Sequence, residues 1–520
     1  MTEPNANIIT INPVTRIEGH AKITIQLDDA GNVADARFHV VEFRGFEKFC
    51  EGRFFAEMPQ ITARICGICP VSHMLASAKA CDAILGVEIP RPAKLLRELL
   101  HMGQLTQSHA LSFFHLSAPD LLLGFDSDPA SRNIIGLIQQ HPDIAKRGIR
   151  LRKFGQEVIK LTGGRKIHAD FPVPGGVNKA LTQSERDEML AGLPEAMEHA
   201  GFALDLLKKY QATHLPEVED FACFDSNFMG LVRPDGSLEH YDGRLRFCDT
   251  KANILEDQID PANYLNVIAE TTEDWSYLKF PFIKSLGYPD GMYRVGPLAR
   301  LNIVDRVSTP RANDELQEWR SQCVPPRRSS FYYHWARLIE IVYALERIEE
   351  LLRDREICST ATLVNARPVH EQGVGVIEAP RGTLFHHYWV DEAGRVEKVN
   401  LIVATGHNNL AMNRAVKAVA EKYVKSRQLQ EGMLNRVEAA IRCYDPCLSC
   451  STHAVGQMPM QIELVDGDGH VLQTLTRDFG GTGVSACVPH PPTRRTDVPP
   501  VYPVPHPLTP RRDALRRVHS

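Results

Sequence analysis

Arg64-Ile65-Cys66-Gly67-Ile68-Cys69-Pro70-Val71-Ser72-His73, near the start of the chain, has a counterpart near its end in Asp445-Pro446-Cys447-Leu448-Ser449-Cys450-Ser451-Thr452-His453. In each stretch a Cys-x-x-Cys pair is followed by a histidine. Such a pair on a turn entering a helix points both sulfurs the same way, so one pair supplies two soft thiolates and a four-sulfur cage needs two. The pairs stand 378 positions apart (447 − 69), far beyond the roughly 15–20-residue spacer of a compact zinc ribbon. The pattern is a split metal site, and the fold must bring the two ends of the chain together around it. Ligand softness alone leaves zinc and iron–sulfur chemistry open.

Length alone would allow about three domains, but a site divided between the ends of 520 residues argues against independent units. The formal charge is −5, with 59 basic and 64 acidic residues interspersed, so no nucleic-acid footprint stands out. No apolar run reaches the ~18 residues of a membrane span, and MTEPNANIIT lacks the basic and apolar regions of an export signal. The expectation is a soluble, cytoplasmic protein. Twelve cysteines, four of them in metal-type pairs, fit a reduced compartment better than a disulfide scaffold. Cys50, Cys81, Cys223, Cys248, Cys323, Cys358 and Cys443 are scattered singly and read as small buried hydrophobes, while Cys487 falls in an unusual tail.

Alternation over 8–43, broken at Asp28-Asp29-Ala30-Gly31-Asn32, predicts a β-hairpin, and 384–403 reads as strand, turn, strand. Between them the period becomes helical. Pro92 opens a segment with Leu95, Leu96, Leu99 and Leu100 on one face that runs to Pro119, and Trp335, Leu338, Ile339, Val342, Leu345 and Leu352 mark a second long helix. Further helices are predicted at 72–85, 186–212, 262–272, 407–425 and 428–443. The helix at 72–85 carries Ala76, Ser77, Ala78 and Ala80, small side chains suited to the centre of a bundle. The fold class is mainly α with small antiparallel sheets (α+β), a central helical bundle on which the two cysteine pairs meet. From about 479 the chain turns rich in proline with three Arg-Arg pairs, a composition that builds no core.

Around the cysteines the sequence resembles the nickel-iron hydrogenase large subunits. Arg-x-Cys-Gly-x-Cys-x-x-x-His and Asp-Pro-Cys-x-x-Cys-x-x-His are similar to that family's two signatures. TRIEGH at 15–20, FRGFE at 43–47, HALSFFHLSAPD at 109–120 and EAPRGTL at 378–384 match as well, so the resemblance runs from about residue 8 to 475. Within the family, VVEFRGFEKF, SAPDLLLGFDSD and the GGRKIH/VPGG stretch resemble the cytoplasmic, NAD-reducing, bidirectional branch.

The resemblance implies that Cys66, Cys69, Cys447 and Cys450 bind nickel, with Cys69 and Cys450 also bridging to an iron that carries carbon monoxide and cyanide. Heterolytic splitting of hydrogen needs a hydride acceptor beside a base. The resemblance gives the first role to the metal pair and the second to the Cys447 thiolate, with Glu18 relaying the proton outward. Pro380 holds Arg381 on a rigid turn, so its fork of donors can project over the metals. A buried arginine must be paired, and Asp445 and Asp120 are its expected carboxylate partners. Glu47 and His453, with a backbone carbonyl near Leu401, resemble the ligands of a magnesium-type ion, although histidine is an unusual ligand for that metal. His73 is expected to orient the iron side or hydrogen-bond a bridging sulfur. His20, His109, His115, His386 and His387 read first as packing or hydrogen-bonding residues, with proton relay as the alternative.

No further cysteine cluster could hold iron–sulfur cubanes, and no Gly-x-Gly-x-x-Gly lies between a strand and a helix to hold NAD or flavin. An iron–sulfur small subunit is therefore expected as a partner, and the resemblance implies flavin- and NAD-binding diaphorase subunits beyond it, with H2 as substrate and a maturation protease and nickel chaperones in assembly. The alternatives are a hydrogen sensor, an electron-bifurcating hydrogenase, or the quinone-module subunit of complex I, which lacks the four cysteines. The reading divides the chain into a hydrogenase domain at 1–453, a cleavable propeptide at 454–478 and a disordered tail at 479–520. Cleavage is expected between His453 and Ala454, after metal insertion.

Overall fold

The computed structural model describes residues 7–322, 325–425 and 429–452, and the backbone of two strands, Met460–Val465 and Val471–Arg477. His453, Cys323, Cys487, the bond between His453 and Ala454 and the tail from 479 lie outside the described residues. The fold is mainly helical with small sheets. Among the described residues all sheet pairings are antiparallel except a short parallel one between Tyr293–Arg294 and Asn227–Phe228.

The helix that follows the first cysteine pair, Pro70–Leu85, sits at the centre. Pro70 occupies its first turn, where a missing N–H costs nothing, and Gly86 ends it in the left-handed conformation at φ 62°. Its small residues do permit close packing, but against a strand as well as against helices. Strand Gln372–Ala379 lies directly on the helix, and a Cβ at Gly375 would stand 1.9 Å from the Ala76 carbonyl oxygen. Only glycine fits there. The strand then turns through Pro380 and Arg381 into Gly382–Val390, which pairs with Val396–Ile402 as the predicted second hairpin.

The leucine-lined helix Arg91–Leu111 packs against Pro142–Gly163 and against Tyr332–Arg353, the second predicted long helix. It does not run unbroken to Pro119. Residues Ser112–Ser117 widen into π-helical turns and a new helix starts at Ala118. Pro119 brings no N–H and its ring crowds the preceding turn, which accounts for the change of pitch. Helices Gln183–Thr213, Asn409–Tyr423 and Glu431–Tyr444 fall where the periodicity put them.

The helix expected at 262–272 is absent. Pro261–Asn266 forms a short 3-10 turn and Ile268–Thr271 a strand paired with Phe280–Ile283. Val267, Ile268 and Thr271 are β-branched and prefer the pleated partner to a helical surface. The N-terminal hairpin is as expected, Ala21–Leu27 against Val33–Val40, with Ile8–Ile11 added at its edge. Of the single cysteines, Cys50, Cys81, Cys248 and Cys443 are buried and Cys358 is half-buried, but Cys223 is exposed, in the loop between helix Leu215–Asp220 and the next strand.

Candidate metal centre

The turn before Pro70 presents Cys66 and Cys69 on one side. The amides of Ile68 and Cys69 both donate to Cys66 Sγ, at 3.2 and 3.3 Å. At the other end of the chain Asp445 adopts the left-handed conformation at φ 53° and Pro446 follows, so helix Glu431–Tyr444 stops and the chain turns sharply into Cys447. Cys447 caps the short helix Leu448–Ser451, and its amide donates to Thr405 Oγ at 2.9 Å.

The four sulfurs meet in the core. Cys66 Sγ is 3.3 Å from Cys447 Sγ, Cys69 Sγ is 3.6 Å from Cys450 Sγ, and Cys447 and Cys450 are 2.9 Å apart. All four are buried, with their sulfurs within 4.8 Å of one another. Hydrogen bonds from its three neighbours hold the Cys66 thiol well below its usual range, whereas burial drives Cys447 and Cys450 well above theirs. Four thiolates packed this closely in a dry core repel one another, and only a cation at their centre lets all of them ionise. The donor set therefore fits a soft, thiolate-binding metal. Beside the sulfurs lies a narrow cavity of about 10 Å³, reached by Cys69, Cys447 and Cys450 and walled by Ala379, Pro380 and Leu384.

Arg381 reaches this cavity from the loop of a two-residue hairpin whose flanking pair is Ala379 and Gly382. Its Nε donates to the Asp445 carbonyl and its Nη2 stands 3.2 and 3.1 Å from the two Asp445 carboxylate oxygens. Burial works against the guanidinium charge, but Asp445 and the cysteine sulfurs outweigh it and hold its pKa above the usual value. Asp120 is not its partner. That carboxylate binds Arg16 and Arg442 (2.9 Å), lies 3.6 Å from Arg132, and accepts from Asn435 at 3.0 Å. The change of pitch at Ser112–Ser117 precedes Asp120, which lies in the first turn of the next helix, among those three arginines.

Glu18 lies beside the second pair. Its carbonyl accepts from the Leu448 amide and its Oε2 from the Ser449 amide, both at 3.1 Å, and residue 18 forms a parallel bridge with Cys447. His73 Nδ1 is 3.1 Å from His386 Nε2, and His386 Nδ1 is 2.6 Å from the Tyr388 hydroxyl. Glu47 accepts the Leu401 amide at 2.8 Å, and the Thr452 carbonyl accepts the amides of Arg44 and Gly45. Glu47, Leu401 and the residue before His453 are thus neighbours, although it is the amide of Leu401 that meets the carboxylate. His20 is exposed, and His109 is buried against Glu340 at 2.9 Å.

Nothing in the sequence signals the charge cluster behind Arg381. Arg300 Nε and Nη2 donate to the two oxygens of Glu340, and Nη1 to Glu378, all at 2.6 Å and fully buried. Nη1 also donates to the Ala379 carbonyl at 3.1 Å, anchoring the strand just before Pro380. Thr405, Ser449 and Glu42 also escape a reading by motif. Glu42 stands in the VVEFRGFEKF stretch, where the strand's alternation breaks off on a charge, and that break is the one signal that could have found it.

A family profile described as nickel-dependent hydrogenase matches residues 44–126 and 243–453, more than half of the chain. The chain belongs to this family. A second profile, described as HoxL-like, matches residues 8–43 of this hydrogenase large subunit. It is 43% identical to the NAD-reducing hydrogenase HoxS subunit beta of Cupriavidus necator, over 90% of this chain and 99% of that one. It is 45% identical to a subunit of the F420-non-reducing hydrogenase vhu of Methanocaldococcus jannaschii, over 80% and 99%. A crystal structure of an NAD+-reducing [NiFe]-hydrogenase in the H2-reduced state is 46% identical, with a TM-score of 0.84, covering 86% of this chain and 99% of that one. The expectations of a nickel-dependent hydrogenase and of a mainly helical fold with small sheets are borne out. No helix among the described residues is long and apolar enough to cross a membrane.

Proposed function

We propose that this hydrogenase subunit works in the cytoplasm as the hydrogen-activating part of a complex that passes electrons through an iron–sulfur subunit to a flavin- and NAD-binding diaphorase. The observation that carries this reading is the likeness to NAD-reducing hydrogenases over 90% of the chain in one relative and 86% in one structure. The 45% identity to an F420-non-reducing hydrogenase supports a second reading, with the same chemistry and a different set of electron-accepting partners. Purification of the native complex separates the two. Copurification of flavin-containing subunits with H2-dependent NAD reduction supports the first reading, and a complex that reduces viologen dye but not NAD refutes it. The isolated chain is expected to reduce neither.

Cys66, Cys69, Cys447 and Cys450 would hold nickel, and Cys69 and Cys450 would also hold an iron carrying carbon monoxide and cyanide. Together these metals would supply the hydride acceptor. Cys447 Sγ takes the proton from hydrogen and passes it to Glu18, which is anchored on the very turn that carries Cys447. Arg381, fixed by Asp445, presents its remaining donors to the cavity and holds small ligands or substrate over the sulfurs. Pro380 keeps that hairpin loop rigid, and His73 orients the iron side through His386. Asp120 acts further out, by fixing Arg16 and Arg442. Glu47, His453 and the backbone near Leu401 would hold a magnesium-type ion that ties the chain's end to its start. We further propose that nickel is inserted with the help of chaperones and that a protease then cuts after His453, the residue at which the family match ends. Intact-mass measurement of nickel-loaded, active protein tests this, and an active 520-residue species refutes it.

A further inference from the structure

Ser449 carries two carboxylates. Its amide donates to Glu18 Oε2 at 3.1 Å and its hydroxyl donates to Glu42 Oε1 at 3.2 Å. The other oxygen of Glu42 accepts the His20 amide at 3.2 Å and stands 3.6 Å from His20 Nδ1. This line runs from the core to the surface, with Glu18 half-buried and Ser449 buried between. Cys447 is buried, the Glu42 side chain is 21% exposed and the His20 side chain 78%. The backbone is shaped to allow it. Gly19 sits at φ 89°, and a Cβ there would meet Glu42 Oε2 at 2.8 Å, the Ser449 amide nitrogen at 3.1 Å and Leu448 Cβ at 2.7 Å. Any side chain at position 19 would wedge Glu42 away from the cysteine-bearing turn.

We propose that Glu42 is the carrier beyond Glu18 on the proton route, connecting the Ser449 hydroxyl to His20 at the surface. The inference rests on the reading of Glu18 as the first acceptor from Cys447. In the outward direction the protonated Glu18 carboxyl, which rests on the Ser449 amide, turns to give its proton to Ser449 Oγ on the same residue while Ser449 gives its own to Glu42 Oε1. One O–H bond breaks at Glu18, one breaks and one forms at Ser449, and one forms at Glu42, and no electrons move. Glu42 then passes the proton to His20 Nδ1, and the imidazolium releases one from Nε2 to water. A serine hydroxyl both donates and accepts, so Ser449, held by its amide to one carboxylate and by its hydroxyl to the other, suits a relay between them. The separation of 3.2 Å from Ser449 to Glu42 is within hydrogen-bond reach for transfer. The further step of 3.6 Å closes by rotation of an exposed imidazole. Glu42 thereby gives the buried thiolate an exit that needs no opening of the core.

The test uses the assembled complex and compares Glu42→Gln with Glu18→Gln. In Glu42→Gln, H2 oxidation is expected to fall about a hundredfold or more, the scale of a positioned proton carrier, with a larger solvent isotope effect. Nickel and iron contents and the carbonyl and cyanide infrared bands should stay at wild-type values. The relaxation of those bands after a light-induced step should slow in D2O more than in the parent. Small carboxylic acids such as acetate should restore rate to Glu42→Ala but not to Glu18→Gln. Ser449→Ala removes the hydroxyl, leaves the amide on Glu18, and should share the loss and the isotope effect. Wild-type turnover in Glu42→Gln beside a defective Glu18→Gln overturns the inference and leaves Glu18 in place. Wild-type turnover in both overturns the underlying reading as well. Lost metal, shifted infrared bands or a defect without isotope effect and rescue assigns Glu42 a structural role and also overturns the inference.

Discussion

Acidification from about pH 7.5 to about pH 5.5 should destabilise this protein by about 4 kcal/mol through three histidines. His101, His109 and His407 are fully buried, and each has one ring nitrogen engaged, by the Glu378 carbonyl at 2.9 Å, the Glu340 carboxylate at 2.9 Å and the Tyr293 hydroxyl at 2.5 Å. Their other nitrogens meet no hydrogen-bond partner among the described residues. Burial pushes each from the ordinary 6.5 down to about 3. The unfolded chain takes up protons as pH falls through about 6.5, and the folded chain does not until about 3. These groups therefore leave stability intact above about 6.5 and remove it progressively below. One unit under about 6.5 costs about 1.4 kcal/mol for each histidine. Glu378 acts in the opposite sense. Burial raises its pKa despite Arg300, so its contribution is present at low pH and lost as pH rises. A difference between variants isolates the histidine effect. Urea unfolding of wild-type and His407→Phe protein at both pH values should show a pH dependence about 1.4 kcal/mol smaller in the variant, one histidine's share. Equal pH dependence in the two proteins would refute the assignment of His407 as a neutral, buried ring.

Glu340→Ala should cost about 3–5 kcal/mol, because it strands the Arg300 charge in the core, whereas joint replacement of Arg300, Glu340 and Glu378 by Met, Leu and Leu should cost less than that single change; thermal unfolding of the set decides, and the reverse order refutes it. Gly375→Ala drives a methyl into the Ala76 carbonyl and should lower stability by about 3 kcal/mol, or abolish soluble expression; a normal melting temperature would mean that the strand does not rest on the helix. Cys450→Ser replaces a soft donor by a hard one and should leave the purified protein without nickel by elemental analysis. Glu18→Gln should keep its metals and lose both turnover and hydrogen/deuterium exchange with solvent, and wild-type exchange in that variant would take Glu18 off the route.

Local chemistry made much of this legible. A pair of cysteines three apart, a leucine stripe at helical spacing and an alternating strand broken by Asp-Asp-Ala-Gly-Asn each announce themselves within a short stretch. What failed to show depends on distant neighbours. The stretch 262–272 carries apolar residues at near-helical spacing, and only its pairing with Phe280–Ile283 makes it a strand. Glu340 and Glu378 lie 40 and 78 positions from Arg300, and no local pattern connects them. Family motifs suggest Asp120 as a partner of Arg381 because both stand within them. The structure gives it instead to Arg16, Arg132 and Arg442, contributed by three other segments. Ser449 reads as a spacer between two cysteines until its hydroxyl and amide are seen to hold different carboxylates.

The span between Cys66 and Cys447 is 381 positions. A cation that grips both cysteine pairs is therefore a cross-link that closes most of the chain into one ring. By the same chain-entropy reasoning that applies to a disulfide, a ring of that size removes about 6 kcal/mol of freedom from the unfolded ensemble. That is comparable with the entire net stability of a typical domain. The loaded and empty forms of this protein should thus differ in resistance to unfolding far more than the contacts of the metal with its immediate ligands would indicate. Heat or denaturant would then discard empty chains first, so the metal acts as a staple that sorts finished molecules from unfinished ones.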